Sequence, residues 1–240
     1  MKKLLALAAL LPQIAFAETG YYLVSVYDVA GQANIDYKYW NAHYKHGRNV
    51  AMPEIGFGYG VTARWYTELS TSWIQFDGRH TRNTGIEWQN DFMLTQGQYD
   101  VDVALHSSVE RARDRADGYG LEIGPVLQAQ VWRTQFNLNL FLQREFANGE
   151  RNDTELAYQW QVMQRWKPWL SPGLQGFGEV GKWNDWLPRS QQSHRAGPAL
   201  FGHVDAGPRG HQLKYEAAYL IGRNSGRSAN SFTMRLQYLY

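Results

Sequence analysis

The chain contains no cysteine, which removes any disulfide framework and any thiolate metal site. It also carries little net charge, +2 from 24 basic and 22 acidic residues, so no broad basic surface for nucleic acid and no strongly acidic partner is expected. Beyond the first residues it lacks a continuous apolar run of the roughly 20 residues that a spanning helix needs. The body of the chain is therefore either soluble or inserted in a bilayer as strands. A mean hydropathy of -0.52 does not separate these cases, because strands that alternate hide a lipid-facing side in the average. What the chain has in quantity is aromatic: Trp 10 and Tyr 15, the two residues that gather at membrane interfaces.

The first residues read as a secretory signal. Lys2 and Lys3 precede an apolar run from Leu4 to Leu11, and Ala15-Phe16-Ala17 supplies a small-x-small cleavage site before Glu18. Pro12 interrupts the run, which is too short for an anchor. The expected division is a signal peptide over residues 1–17, an N-terminal extension over residues 18–33 that lies in the periplasm or joins the barrel, and a barrel over residues 34–240.

From Asn34 onward, strict alternation recurs. Ile35, Tyr37 and Tyr39 alternate with Asn34, Asp36 and Lys38; Ile55, Phe57, Tyr59 and Val61 alternate with Glu54, Gly56, Gly58 and Gly60. Phe136, Leu138, Leu140 and Leu142 stand against Gln135, Asn137, Asn139 and Gln143. Period two of this kind marks strands with one apolar face, and about twelve such segments follow one another, an even number that suits a closed antiparallel barrel with both termini on one side. Thr62 to Arg64, Gln96 to Gln98, Arg133 and Thr134, Lys167 to Trp169 and Gly207 to Gly210 read as tight turns. The other links read as longer and polar, an alternation expected of periplasmic turns and external loops.

The last residues, Ser231 to Tyr240, put Phe232, Met234, Leu236, Tyr238 and Tyr240 on one face and Thr233, Arg235 and Gln237 on the other. A strand that runs to the chain end must be paired there, as it is when a barrel closes. The segment resembles the C-terminal signal strand of bacterial outer-membrane β-barrels, whose last residue is usually Phe and here is Tyr240. That resemblance implies an all-β transmembrane barrel in the cell outer membrane, delivered by the outer-membrane assembly machinery through this strand. Residues 61–68, His194 to Pro198 and residues 213–219 are similar to a group of short proteobacterial outer-membrane barrels, which implies the fold and no activity.

Candidate chemistry is thin. His106 and Ser108 resemble the His-x-Ser pair of outer-membrane lipid hydrolases, but Val109 stands where those enzymes carry Asn, and parity turns both side chains inward, away from lipid. Asp100 and Asp102 sit beside a turn at the wrong end for an external protease. His43, His46 and the His203-Val204-Asp205 trio lack convergent third and fourth ligands for a metal. No catalytic residue, no metal site and no cofactor is expected.

Parity places Lys38, Glu54, Glu68, Glu87, Asp102, His106, Glu122, Arg165, Glu179, Arg195, Lys214 and Arg235 on the inner face. They line either an aqueous channel with mild cation preference or a plugged interior in which they pair. Trp65, Trp73, Trp88, Trp160, Tyr238 and Tyr240 are expected at the membrane interfaces. Arg79, Arg82, Arg111, Arg113 and Arg115 fall near expected loop tips, where guanidinium groups suit lipopolysaccharide phosphates. A capture of anionic solutes by these arginines, as in the oligogalacturonate and sialic-acid porins of similar size, finds no matching motif and no strongly basic lumen. The functional expectation is a small, weakly selective diffusion channel for small solutes. A non-conducting structural or lipopolysaccharide-binding barrel is the alternative, and an outer-membrane lipid hydrolase comes third.

Overall fold

The computed structural model describes residues 21–25, 30–45, 47–147, 149, 152–207 and 210–240. The expected signal peptide and cleavage site lie outside these residues, as does His46. Twelve strands form the wall: β1 (Ala33–Tyr44), β2 (Val50–Thr62), β3 (Trp65–Phe76), β4 (Arg79–Met93), β5 (Val101–Ala112), β6 (Tyr119–Val131), β7 (Thr134–Phe146), β8 (Glu155–Gln164), β9 (Ser171–Lys182), β11 (Ser193–Asp205), β12 (Gln212–Asn224) and β13 (Arg227–Leu239). A two-residue strand, β10 (Asp185–Trp186), folds back on the end of β9. Each wall strand pairs antiparallel with its neighbours, and β13 closes on β1 in a register that sets Asn34 against Leu239 and Tyr44 against Ala229. Ala33 and Tyr240 exchange both backbone hydrogen bonds, at 3.1 and 2.9 Å, so the last residue of the chain is paired and the sheet has no edge.

The alternation read from the sequence becomes a two-sided wall. Ile35, Phe57, Leu69, Trp88, Ile123, Leu138, Leu200 and Tyr219 are exposed on the outside, while Asp36, Lys38, Glu68, His106, Asn139 and Gln175 are buried inside. A continuous apolar exterior of this kind is unstable in water and is satisfied by hydrocarbon, so the barrel is a transmembrane one. Glycine on the inner face of β2 makes room for its neighbours. A Cβ at Gly58 would stand 2.0 Å from the Tyr66 hydroxyl, and one at Gly56 would stand 2.6 Å from Glu68 Oε1.

The links differ from the expected short and long alternation. At the end opposite the chain terminus, β3 and β4 join through Asp77-Gly78 alone, and β12 and β13 through Ser225-Gly226 alone. All four residues have positive φ, between 47° and 76°, the conformation that closes a two-residue hairpin in step with strand twist. At the other end, the link between β4 and β5 is long, running from Leu94 to Asp100, with Asp102 accepting from the Gly97 amide at 2.6 Å and from Thr95 Oγ1 at 3.2 Å. Strands β3 and β4 therefore extend past Trp73 and start before Ile86, and Arg79 and Arg82 sit at the start of β4, Arg79 directly after the Asp77-Gly78 turn at the hairpin tip.

The described part of the N-terminal extension divides: its end joins the wall, Gly31 and Gln32 bonding to Gly60 and Ala33 opening β1, while its start enters the barrel. Tyr21, Tyr22, Leu23 and Val24 are buried inside the lumen.

Candidate functional site in the barrel lumen

Residues 21–24 cross the lumen from one wall to the other, and both kinds of group they carry are met by the wall. Tyr21 packs edge-on against Trp40 of β1 and Phe177 of β9, with ring centroids 4.8 and 5.6 Å apart, in a cluster that includes Phe201, Ala218 and Leu220. Val24 enters a second apolar cluster, with Met93, Ala104, Val126 and Phe141 of β4 to β7. The backbone between them is bonded by side chains. Thr233 Oγ1 donates to the Tyr21 carbonyl and Arg235 Nη1 donates to the Leu23 carbonyl at 3.2 Å. The Val24 amide donates to Gln159 Oε1 at 3.2 Å, and Asn139 Nδ2 donates to the Val24 carbonyl at 2.9 Å. Asn139 and Gln159 face each other across β7 and β8, so one cross-strand pair holds both polar groups of one residue.

Around this segment the inner wall carries three paired cations. Lys38 Nζ reaches Glu54 Oε1 at 2.9 Å and Glu68 Oε1 at 2.7 Å, and it stands 4.2 Å over the Tyr22 ring. Tyr66 joins this network by donating to Glu68 Oε2 at 2.5 Å. Arg235 grips Asp36 Oδ2 through Nε at 2.8 Å and Nη2 at 2.5 Å. His106 lies between two carboxylates, Asp91 with Oδ1 2.6 Å from Nδ1 and Glu122 with Oε1 3.1 Å from Nε2. Gln89 and Gln143 supply amide donors to the outer oxygens of those two acids. Burial, with the nearby Glu54 carboxylate second, holds the Tyr22 phenol well above its usual value. Beside Tyr22 and Val24 the cavity left is about 10 Å³, room for about one water.

Most residues expected inside are there. Lys38, Glu68, Asp102, His106, Glu122 and Arg195 are buried on the inner face, and Glu54, Glu87, Glu179 and Arg235 are partly so. Arg165 and Lys214 are exposed, Arg165 past the end of β8 and Lys214 near the start of β12, and Arg165 donates to Gln135 Oε1 at 2.6 Å. Ser108 is buried with His106, but both imidazole nitrogens face acids, which leaves no nitrogen to activate a serine. His43, Asp100, His203 and Asp205 are exposed.

The interface aromatics point outward. Trp65 donates to Asn90 Oδ1 at 3.0 Å and Trp88 to Thr67 Oγ1 at 2.9 Å. Trp73 and Trp160 share their strands' outer parity, and the Tyr238 and Tyr240 rings lie tilted to each other with centroids 6.0 Å apart at the chain end. Arg82 reaches Asp117 at 3.9 Å, Arg111 of β5 lies 4.1 Å over the Tyr119 ring, the Arg113 amide bonds the Thr84 carbonyl, and Arg115 opens a short 3-10 turn (Arg115–Asp117). The fold thus gathers these four on one stretch of rim, with Arg79 farther out along β4.

Sequence reasoning missed Tyr21 to Val24 as lumen residues, and missed their receptors. The available signal was apolar residues at inner parity: Trp40 follows Lys38, Phe141 follows Asn139 and Phe177 follows Gln175, each two positions on. Large apolar side chains on a polar inner face require something to cover them.

With this geometry in hand, comparison with solved structures gives two informative likenesses. The NanC porin superposes with a TM-score of 0.56 at 13% identity, covering 85% of this chain and 98% of that one. The translocator domain of the autotransporter NalP from Neisseria meningitidis gives a TM-score of 0.53 at 11% identity, with 89% of each chain covered. The chain has an outer-membrane β-barrel fold. At such identities the likeness is one of fold alone. No family model and no curated protein matches the sequence.

Proposed function

We propose that the protein is a porin-like diffusion channel of the bacterial outer membrane whose lumen is closed at rest by its own N-terminal segment. One observation carries this reading: a twelve-strand wall with a polar inner face is crossed by residues 21–24, which are held by side chains and not by strand pairing. A barrel of about eight strands fills its interior with its own side chains, whereas one of about sixteen stays open. Here the missing bulk comes from residues 21–24, which can leave without breaking the hydrogen-bond ladder of the wall. Inward acids outnumber inward cations, with Glu87 and Glu179 in addition to those that pair with Lys38, His106 and Arg235, and that excess favours cations in the vacated lumen. No enzymatic role is proposed, since the one histidine beside a serine is occupied by acids on both sides.

The test is planar-bilayer conductance of the mature chain, residues 18–240, beside a form lacking residues 18–25, with folding of both checked by the shift in gel mobility on heating. The shortened barrel should pass frequent stepwise currents and the whole chain rare ones, with a cation-leaning reversal potential across a salt gradient. A folded, inserted, shortened barrel that passes no current would sink the channel reading in favour of a structural barrel.

The rim arginines fit outer-leaflet lipopolysaccharide phosphates in this reading, Arg111 from the lipid side and Arg82, Arg113 and Arg115 from above. The paired C-terminal strand is the segment offered to the assembly machinery, before β1 covers it.

A further inference from the structure

Of the four cationic side chains that face the lumen away from solvent, three have carboxylates: Lys38, Arg235 and His106. Arg195 of β11 is the exception among the described residues. It is 3% exposed, its Nη1 donates to Ser231 Oγ at 2.7 Å, and its Nε and Nη2 have no hydrogen-bond partner. Its Cζ lies 4.2 Å over the Tyr21 ring, so the guanidinium faces the aromatic pocket that Tyr21 fills. Gln175 Nε2 is a further buried donor with no partner, and it projects from β9 beside Phe177, the residue directly across from Arg195.

A buried donor left unfilled is costly, and a charged one more so. Two adjacent N–H groups of one guanidinium match the two oxygens of a carboxylate. A single unpaired cation suits a monoanion and leaves a phosphate dianion half neutralised. The apolar walls beside it, Trp40 and Phe177 edge-on with Phe201 and Leu220 behind, accept a flat ring. We propose that this pocket is a solute site of the channel and takes a small aromatic carboxylate, whose ring replaces that of Tyr21 while its carboxylate accepts from Arg195 Nε and Nη2. The inference rests on the reading of residues 21–24 as a displaceable plug: the solute and the segment compete for one pocket, so binding releases the segment.

The test is calorimetric titration of the folded mature chain in detergent with 4-hydroxyphenylacetate, with tyramine (same ring, opposite charge) and acetate (same charge, no ring) as comparators. The acid should bind saturably and about tenfold or more tighter than either, as expected of a charge-assisted two-point contact added to ring burial. Arg195→Met should weaken it by about tenfold or more. Tyr21→Ala, which vacates the ring pocket and leaves the wall intact, should tighten it by raising the fraction of competent barrels. Tyramine binding as well as the acid, or acid affinity unchanged in Arg195→Met or in Tyr21→Ala, would overturn the site. Conductance is read separately. A barrel that binds the acid and passes no current keeps this site and loses the channel, while one that conducts and does not bind it loses only the site.

Discussion

The lumen has two unlike walls. On the side of β1 to β6, the buried cations meet acids: Lys38 lies between Glu54 and Glu68, and His106 between Asp91 and Glu122. On the side of β9 to β12, a buried arginine has no acid beside it and the neighbouring surface is aromatic. Both walls obey the same period-two parity and the same hydrogen-bond ladder. The difference lies in whether the side chains satisfy one another, and it teaches that the first wall is scaffold and the second is a surface made for something else to cover. Residues 21–24 bridge the two, with Tyr21 on the second wall and Tyr22 over Lys38 of the first.

The comparison breaks most visibly if the scaffold wall tolerates loss of a charge. His106→Ala leaves Asp91 and Glu122 buried with only the amides of Gln89 and Gln143, and removing one partner of a buried pair costs about 3–5 kcal/mol. The expected result is a large drop in the urea midpoint for unfolding from lipid vesicles. An unchanged midpoint would mean that water reaches these acids and that the first wall is no more closed than the second.

A smaller effect probes the bridge. The Tyr22 phenol, inside the barrel, is held above its usual value of about 10. Because the docked value is raised relative to the free segment, docking is fully favoured below about pH 10 and loses about 1.4 kcal/mol for each further pH unit until the docked value is reached. Conductance of the whole chain should therefore rise reversibly above about pH 10, and Tyr22→Phe should remove that rise. A rise that persists in Tyr22→Phe would assign the alkaline opening to the wall.

The wall itself was legible in the sequence because each strand declares its faces locally: one residue in lipid, the next inside. Two of its hairpins were not read: Asp77-Gly78 and Ser225-Gly226 are turn dipeptides, but they fall inside polar stretches that read as loops. The plug was not legible. Tyr21 to Val24 has the composition of a short strand, and what makes it a lumen segment is complementarity with Asn139, Gln159, Thr233 and Arg235, residues more than a hundred positions away. Arg195 shows the same limit. Parity places it inside, but whether an acid stands near depends on strands β9, β12 and β13 together.

The sharpest form of the comparison is the smallest change. Arg195→Met removes a buried charge with no counter-ion, so the desolvation cost of that charge disappears with it. Against this, the substitution forfeits the hydrogen bond to Ser231 Oγ, about 1 kcal/mol, and the contact over the Tyr21 ring, about 1–2 kcal/mol for a desolvated cation. These terms oppose each other, and replacing buried ionic groups by apolar ones of similar volume is often neutral. The unfolding midpoint of Arg195→Met should stay within about 1 kcal/mol of the parent, where His106→Ala falls by several. Equal losses in the two variants would show that Arg195 is as much a strut as His106, and the two walls would be one.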